Sequence, residues 1–387
     1  KRNAFLYKDK IRYSRGQLIN TILKRFDIIE EIIENFKPTN LIYMTEDFGT
    51  SIAAILFEVC QYNNVNINIP LISKFSHYFS LTNDIYGSWP KLETLFLKNL
   101  NDSNFKITES TKNIYNKYLE AGKVLDVSLI TVKSEKLSFS LIKRKLLTIS
   151  KMFFEQFKKK DYLHFSLFSY AYDKLLVCWR RKILKNHKIF KRLDQIKSTQ
   201  KFFFFPLHVE PEFVLLVQSQ SYLNQLEVIK NISINLPNNF KLLVKEHPES
   251  PGRRTFDFYR KLNHLPNVEV IHHDESSINI IKKSEGVISI IGTAGLEAFL
   301  YNKLSITLSN AYYNFLPGVI KLNDFQNIAE TINNYKENSN SLHQLVFIQS
   351  LMQISTEVNI IQLATKFDYY NSKIDFEKYY SFLKKYM

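Results

Sequence analysis

A chain of 387 residues that is 45% hydrophobic has room for two ordinary domains and enough apolar content to exclude wholesale disorder. Two cysteines, Cys60 and Cys178, lie far apart, each in an apolar helical context, which excludes a disulfide framework and predicts buried free thiols. The net charge of +15 is concentrated: between Lys143 and Lys201 there are 17 Lys/Arg against four Asp/Glu, and the remainder is close to neutral.

A basic block seeks phosphate, in nucleic acid or in an anionic bilayer. No nucleic-acid motif accompanies this one, and its helical pattern has a strong apolar face, so no nucleic-acid partner is expected. No CxxC or HxxxH spacing occurs, and no metal is expected. There is no run of about 18 apolar residues and no signal peptide at the start. The expected location is cytoplasmic, with the option of a peripheral place on the inner membrane.

In chain order, residues 15–36 repeat Leu18, Ile22, Leu23, Phe26, Ile29, Ile32, Ile33 and Phe36 at helical spacing, and Pro38 ends the run. Residues 40–45 read as a buried strand that delivers Glu46 and Asp47 to its carboxyl end. Gly49-Thr50-Ser51 then opens a helix. These two acids are candidate catalytic carboxylates or, alternatively, an N-cap pair. Residues 66–72 read as a strand, Ser76 to Gly87 as a polar and aromatic loop that includes His77 and Asp84, and 108–121 as a helix. Residues 141–160 form a basic amphipathic pattern. Ile142, Leu146, Ile149, Phe153 and Phe157 share one face, and Lys158, Lys159 and Lys160 suit an acceptor or membrane surface. Helical character continues to Leu193.

The composition changes at Ser198, an expected domain boundary. Beyond it strands and helices alternate: strand 202–205, helix 222–236, strand 240–245, helix 256–262, strand 268–271, helix 278–283, strand 287–291, helix 294–300, strand 304–308 and helix 325–335. Such a rhythm predicts a parallel sheet covered by helices. The expected division is a first α/β domain, 1–197, with the basic segment 141–197. A second Rossmann-like domain, 198–340, follows, and then helices over 341–387 that pack back towards the first.

In a parallel sheet, ligands bind at the carboxyl edge. Two strands here end in polar clusters. Glu246-His247-Pro248 follows one, and Gly292-Thr293-Ala294-Gly295 follows the other and opens a helix, whose free N–H groups suit a phosphate. Read as two neighbouring strand ends, they form a nucleotide cradle with His247 and the glycine turn as its jaws. Lys245, Pro248 and Ser289 lie around the same edge. Glu297, one turn into the helix, is a candidate for ribose hydroxyls or an acid that complements the dipole. Arg253 and Arg254 read as a solvated pair within reach of phosphate. A third cluster, Pro206-Leu-His208-Val-Glu210-Pro-Glu212, places three titratable groups at a strand end, which suits acid/base work by His208 and Glu210 or a stiff hinge.

Phe205-Pro-Leu-His-Val-Glu-Pro-Glu212, Gln225, Leu243-Val-Lys-Glu-His-Pro248, Pro266-Asn-Val268, Ser276-Ser277, Ile280-Ile281, Gly292-Thr-Ala-Gly-Leu-Glu-Ala298 and Lys303 occur in order. Together they resemble the capsule polysaccharide biosynthesis family, which includes bacterial Kdo transferases. The resemblance covers about Lys201 to Leu322; Glu46-Asp47 and the Ser76–Tyr86 loop match loosely. It implies a metal-independent GT-B glycosyltransferase with two Rossmann-like domains facing a cleft, the donor in the second and the acceptor in the first. It also implies a nucleotide sugar, CMP-Kdo foremost, with its phosphate on His247, a glycan or lipid-linked acceptor, no cofactor, and a carboxylate of the first domain central to catalysis. UDP-sugar transferases and epimerases share this architecture.

Overall fold

The computed structural model describes residues 15–42, 51–73, 75, 78–121, 167–185, 187–210, 212, 214–248, 250–336, 338–358 and 377–385. Its architecture is α/β, built on two sheets. In the first half, α1 (Arg15–Phe36) stops before Pro38, with Lys37 turned to φ 43°. It packs on α2 (Ser51–Tyr62), and Ile29, Ile33, Ile55, Phe57 and Val59 form a small core. Strand β1 (Asn40–Ile42) runs parallel to β2 (Asn66–Ile72). Tyr78–Thr82, expected in a loop, is strand β3, antiparallel to β2. Its Ser80 and Thr82 read as loop residues in sequence, but both are buried. The Ser80 hydroxyl donates to the Ile354 carbonyl at 2.7 Å, so the strand interior tolerates it.

Two helices, α3 (Pro90–Asn101) and α4 (Glu109–Ala121), lead away from this sheet. Further on, α5 (Leu167–Leu184) leads to the second sheet. Cys60 is fully buried, and burial pushes its thiol pKa up to about 11. Cys178 does not match the expectation of burial: it is on the solvent side of α5.

The large sheet is wholly parallel. Its strands are β4 (Lys201–Pro206), β5 (Phe240–Lys245), β6 (Val268–Ile271), β7 (Gly286–Ser289), β8 (Leu304–Thr307) and β9 (Val319–Lys321). Their spatial order is β6-β5-β4-β7-β8-β9. The chain winds one way from β4 to β6, returns, and winds the other way from β7. The reversal falls between β4 and β7. Helices α6 (Gln225–Asn235), α7 (Phe256–Asn263), α8 (Ser277–Lys283) and α9 (Thr293–Leu300) connect successive strands from β4 to β8, and α10 (Ile328–Asn334) follows β9.

With both faces covered, central strands must be apolar throughout. Phe203 and Phe205 of β4 enter one core and Phe202 and Phe204 the other, and all four are buried. Their density therefore reflects strand position.

After the sheet, α11 (Ser341–Gln353) begins at Asn340, whose side chain accepts from the His343 N–H. It packs against α3 and α4. Asn99 donates to the Ser350 hydroxyl and the Gln353 carbonyl oxygen, both at 2.9 Å. The Thr108 N–H donates to Gln349 at 2.7 Å. Thr356–Glu357, expected to be helical, is strand β10, antiparallel to β3. Tyr379 and Phe382 pack on Phe79.

Candidate functional site

A change of winding direction leaves a crevice at the carboxyl ends of the two central strands. Here those strands are β4 and β7. The expectation of neighbouring strand ends at β5 and β7 is therefore corrected: β4 lies between them, and His247 is one strand removed from the glycine turn. The residue across the crevice from that turn is His208, just past β4. A Cβ built on Gly292 would sit 3.3 Å from its Cε1 and 3.7 Å from its Nε2. Gly292 has φ +147°, a conformation that disfavours side chains, and it directly precedes α9. The Tyr313 hydroxyl holds the turn by donating to the Gly292 carbonyl.

The His208 backbone is clamped by Gln225 of α6. The His208 N–H donates to Gln225 Oε1 at 2.8 Å, and Gln225 Nε2 donates back to the His208 carbonyl at 3.2 Å. The ring meets Glu212 through Nδ1 at 3.4 Å, whereas its buried Nε2 has no hydrogen-bond partner. An unpaired buried ring nitrogen facing a helix N-terminus is a ready partner for an anionic oxygen.

On the other side of β4, polar groups interlock. Arg254 was expected as a solvated residue near phosphate, but it is only 7% exposed. Its Nη1 donates to Glu246 Oε1 at 2.5 Å, and its Nη2 donates to Glu210 Oε1 at 3.0 Å and to the His208 carbonyl at 2.6 Å. The Tyr259 hydroxyl donates to Glu246 Oε2 at 2.6 Å, and the His247 N–H to Glu246 Oε1 at 3.0 Å. Gln225 also donates to Glu210 Oε1. Burial works against the Arg254 charge, but Glu246 and Glu210 offset it and hold its pKa above the ordinary value. This arginine ties the segments after β4 and β5 together. Arg253, by contrast, is exposed.

Lys245 is buried at the end of β5, where its Nζ donates to the Ser277 hydroxyl at 3.0 Å. Burial lowers its pKa; Glu246, Glu297, Asp274 and Glu275 act in the opposite direction. Glu297 and Thr293 are half-buried near the crevice, and Ser289 is fully buried in β7. Ala294 faces the sheet. Gly295 also serves packing: a Cβ there would lie 2.6 Å from the Tyr313 hydroxyl and 2.8 Å from the Ser305 hydroxyl. His247 is half-buried and Pro248 exposed.

Glu46, Asp47, His77, Lys158, Lys159 and Lys160 lie outside the described residues. His272, His273 and Asp274 cluster closely enough to recommend a metal. The His272 ring is already committed, however. Its Nε2 is 2.8 Å from the Lys185 carbonyl, and its Nδ1 accepts from the Asp274 N–H at 3.2 Å. Burial lowers the pKa of the adjacent His273.

The family model for capsule polysaccharide biosynthesis proteins matches residues 117–371, more than half of the chain and all of the site just described. The chain belongs to that family. Among solved structures, this family member is similar to Thermosulfurimonas dismutans KpsC, a beta Kdo 2,7 transferase, at 12% identity over 90% of each chain, TM-score 0.39. It is also similar to the beta Kdo 2,4 transferase of the same KpsC, at 10% identity over 83% of this chain and 81% of that one, TM-score 0.39. The Neisseria meningitidis UDP-GlcNAc 2-epimerase bound to UDP-GlcNAc matches at 15% identity over 85% and 75%, TM-score 0.31. No curated protein sequence matches the chain.

Sequence reasoning missed Tyr259 and the burial of Arg254. Their bonds to Glu246 span 13 and eight residues around a turn, where no periodicity signals them. The amphipathic pattern of α7, with Tyr259 and Leu262 on its buried face, is the signal available for the tyrosine.

Proposed function

We propose that the chain is a glycosyltransferase of bacterial surface polysaccharide synthesis, moving a sugar from a nucleotide sugar to a glycan or lipid-linked acceptor. Kdo from CMP-Kdo is the leading donor. The reaction needs neither metal nor cofactor. The observation that carries this reading is the crevice between β4 and β7, where His208 Nε2 faces Gly292 at the start of α9. A phosphate leaving group there meets helix N–H groups and an imidazole, which stabilise the charge that develops as the glycosidic bond breaks. His247, with its backbone fixed by Glu246, approaches the phosphate from the β5 side, and Lys245 adds a nearby cation. Glu297 is assigned to the ribose hydroxyls.

Sugar transfer passes through an oxocarbenium-like state that a carboxylate stabilises or attacks. Asp47, or failing it Glu46, is assigned that role. Glu210 is less suited, because one oxygen already accepts from Arg254 and Gln225. Lys158, Lys159 and Lys160, with the apolar positions of 141–160, are assigned to an anionic inner-membrane surface, where a lipid-linked acceptor resides.

The test is nucleotide release from a panel of CMP- and UDP-sugars, with and without acceptor glycans. Acceptor-dependent release of CMP supports the reading. Turnover of a UDP-sugar without acceptor assigns an epimerase instead, and no release from any donor removes the enzyme assignment. Asp47→Asn is expected to lower the rate by orders of magnitude while nucleotide affinity holds.

A further inference from the structure

Helix α5 presents an apolar stripe on its open side. Tyr172, Leu175, Trp179 and Ile183 are 66%, 71%, 61% and 42% exposed. At 3.6 residues per turn they fall within an arc of about 80°, a stripe about 16 Å long. The opposite side of the helix is fixed to the protein. Leu184 is buried, and Arg181 Nε donates to the Pro251 carbonyl at 3.3 Å. A Cβ on Gly252 would lie 2.4 Å from the Val177 carbonyl oxygen and 2.9 Å from the Arg181 nitrogen. The helix therefore rests on the 250–254 turn that leads into Arg254, and it displays its stripe outward.

The charge around the stripe is predominantly positive. Residues 172–192 contain eight Lys/Arg against one acid, Asp173. Lys191 and Arg192 are paired with Glu269 and Glu275. Lys182, Lys185 and Lys188 are exposed. Four apolar side chains on one helix fall short of the roughly 800 Å² per partner that a stable protein interface buries. A second copy would also bring the same cations face to face. A narrow apolar stripe with a tryptophan and a tyrosine, flanked by lysines, fits the headgroup layer of an anionic bilayer.

We propose that α5 is a membrane-docking element. Tyr172, Leu175, Trp179 and Ile183 enter the headgroup boundary of an anionic lipid surface, and Lys182, Lys185 and Lys188 pair with lipid phosphates. This deepens the membrane part of the reading above by naming a contacting element apart from 141–160. It rests on that reading only for its purpose, since lipid binding is measured without turnover. The Pro251–Gly252 contact then holds the β5 side of the crevice about one helix diameter, roughly 10 Å, from the lipid surface.

The two tryptophans make the test direct, because Trp89 is buried and Trp179 is exposed. The full chain is mixed with phosphatidylcholine vesicles, either plain or with about one third phosphatidylglycerol. With the anionic vesicles, Trp179 emission is expected to shift to the blue and to be quenched by brominated lipid, and the protein to co-sediment. Both effects should weaken with salt. Leu175→Glu with Ile183→Glu is expected to abolish the shift. Lys182→Glu with Lys185→Glu and Lys188→Glu should weaken binding by at least about tenfold. Both variants should keep the wild-type melting profile and CMP affinity by calorimetry. An unshifted Trp179 with full recovery in the supernatant would overturn the inference. So would protection of Trp179 from iodide without lipid, which would mean that protein already covers the stripe. Unaltered vesicle binding in both variants would likewise overturn it. If vesicle binding fails while CMP binding stands, only the docking element falls; if CMP binding fails while vesicle binding stands, the donor-site reading falls alone.

Discussion

The two sides of β4 at its carboxyl end differ in how they treat polar groups. Towards β5, Arg254, Glu246, Glu210, Gln225 and Tyr259 bond one another and both Glu246 oxygens are engaged, with the buried Arg254 Nε left over. Towards β7, the His208 ring presents an unpaired nitrogen to a glycine turn where an added Cβ would meet that ring at 3.3 Å. A buried polar group left unpaired costs stability, commonly about 1–3 kcal/mol. The unpaired atoms differ in setting: Arg254 Nε lies inside an ion-pair network, whereas His208 Nε2 stands opposite a helix N-terminus, and that difference separates scaffold from site. The same residue, His208, joins them: its backbone belongs to the network and its ring to the crevice.

This contrast yields ordered expectations. The largest effect belongs to the network. Arg254→Met leaves Glu246 buried without its cation and should cost about 3–5 kcal/mol in denaturant unfolding. A loss below about 1 kcal/mol would mean that the network is not the scaffold. Gly292→Ala forces a side chain into φ +147° beside the His208 ring and should cost about 1–3 kcal/mol, with nucleotide affinity falling as well.

His208→Ala should sharpen the contrast most. Calorimetry with CMP is expected to show a loss of about 1.5–3 kcal/mol in binding. Folding stability should stay within about 1 kcal/mol of wild type, because the clamp to Gln225 is made by the backbone. His247→Ala should weaken CMP binding too, but by less than His208→Ala. The reverse ranking would move the phosphate to the β5 side and break the comparison.

The smallest effect is expected at Lys245. Its folded pKa lies below the ordinary 10.5, so the unfolded chain holds the extra proton between the two values. Stability must rise with pH across that alkaline window, and the desolvation cost of the charge is fully present below it. Lys245→Met should flatten this rise. At neutral pH it should leave unfolding free energy unchanged or raise it by about 1 kcal/mol, read from urea melts at several pH values.

The parallel sheet was legible because each of its strands is a short apolar run closed by a turn, and buried parallel strands are written that way. Phe202–Phe205 and Val287–Ile288 need no partner information to be recognised. Strand β3 was not legible, because Ser80 and Thr82 are polar and what permits their burial, such as the Ile354 carbonyl, lies more than 270 residues away. The site divides similarly. Gly292 and His247 stood out through strand-end position. Their relative placement did not, since strand order is set by long-range pairing that local patterns do not encode. A pair of arginines after a proline-glycine turn reads as solvent-facing until Glu246 and Glu210 are seen to converge on one of them.

Strand β10 and helix α11 also have a meaning in time. The first sheet receives its fourth strand from Thr356–Glu357, and α3 and α4 are covered by Ser341–Gln353. On a ribosome adding about 5–20 residues per second, the early segments wait tens of seconds for these partners. The parallel sheet, whose strands lie between residues 201 and 321, can close before them. The large sheet thus has the shorter route to its strand pairings, and the first sheet is finished last. Release of a nascent chain short of residue 341 would leave Asn99, Thr108 and Tyr115 without their partners on α11, which makes such truncations candidates for aggregation rather than for partial activity.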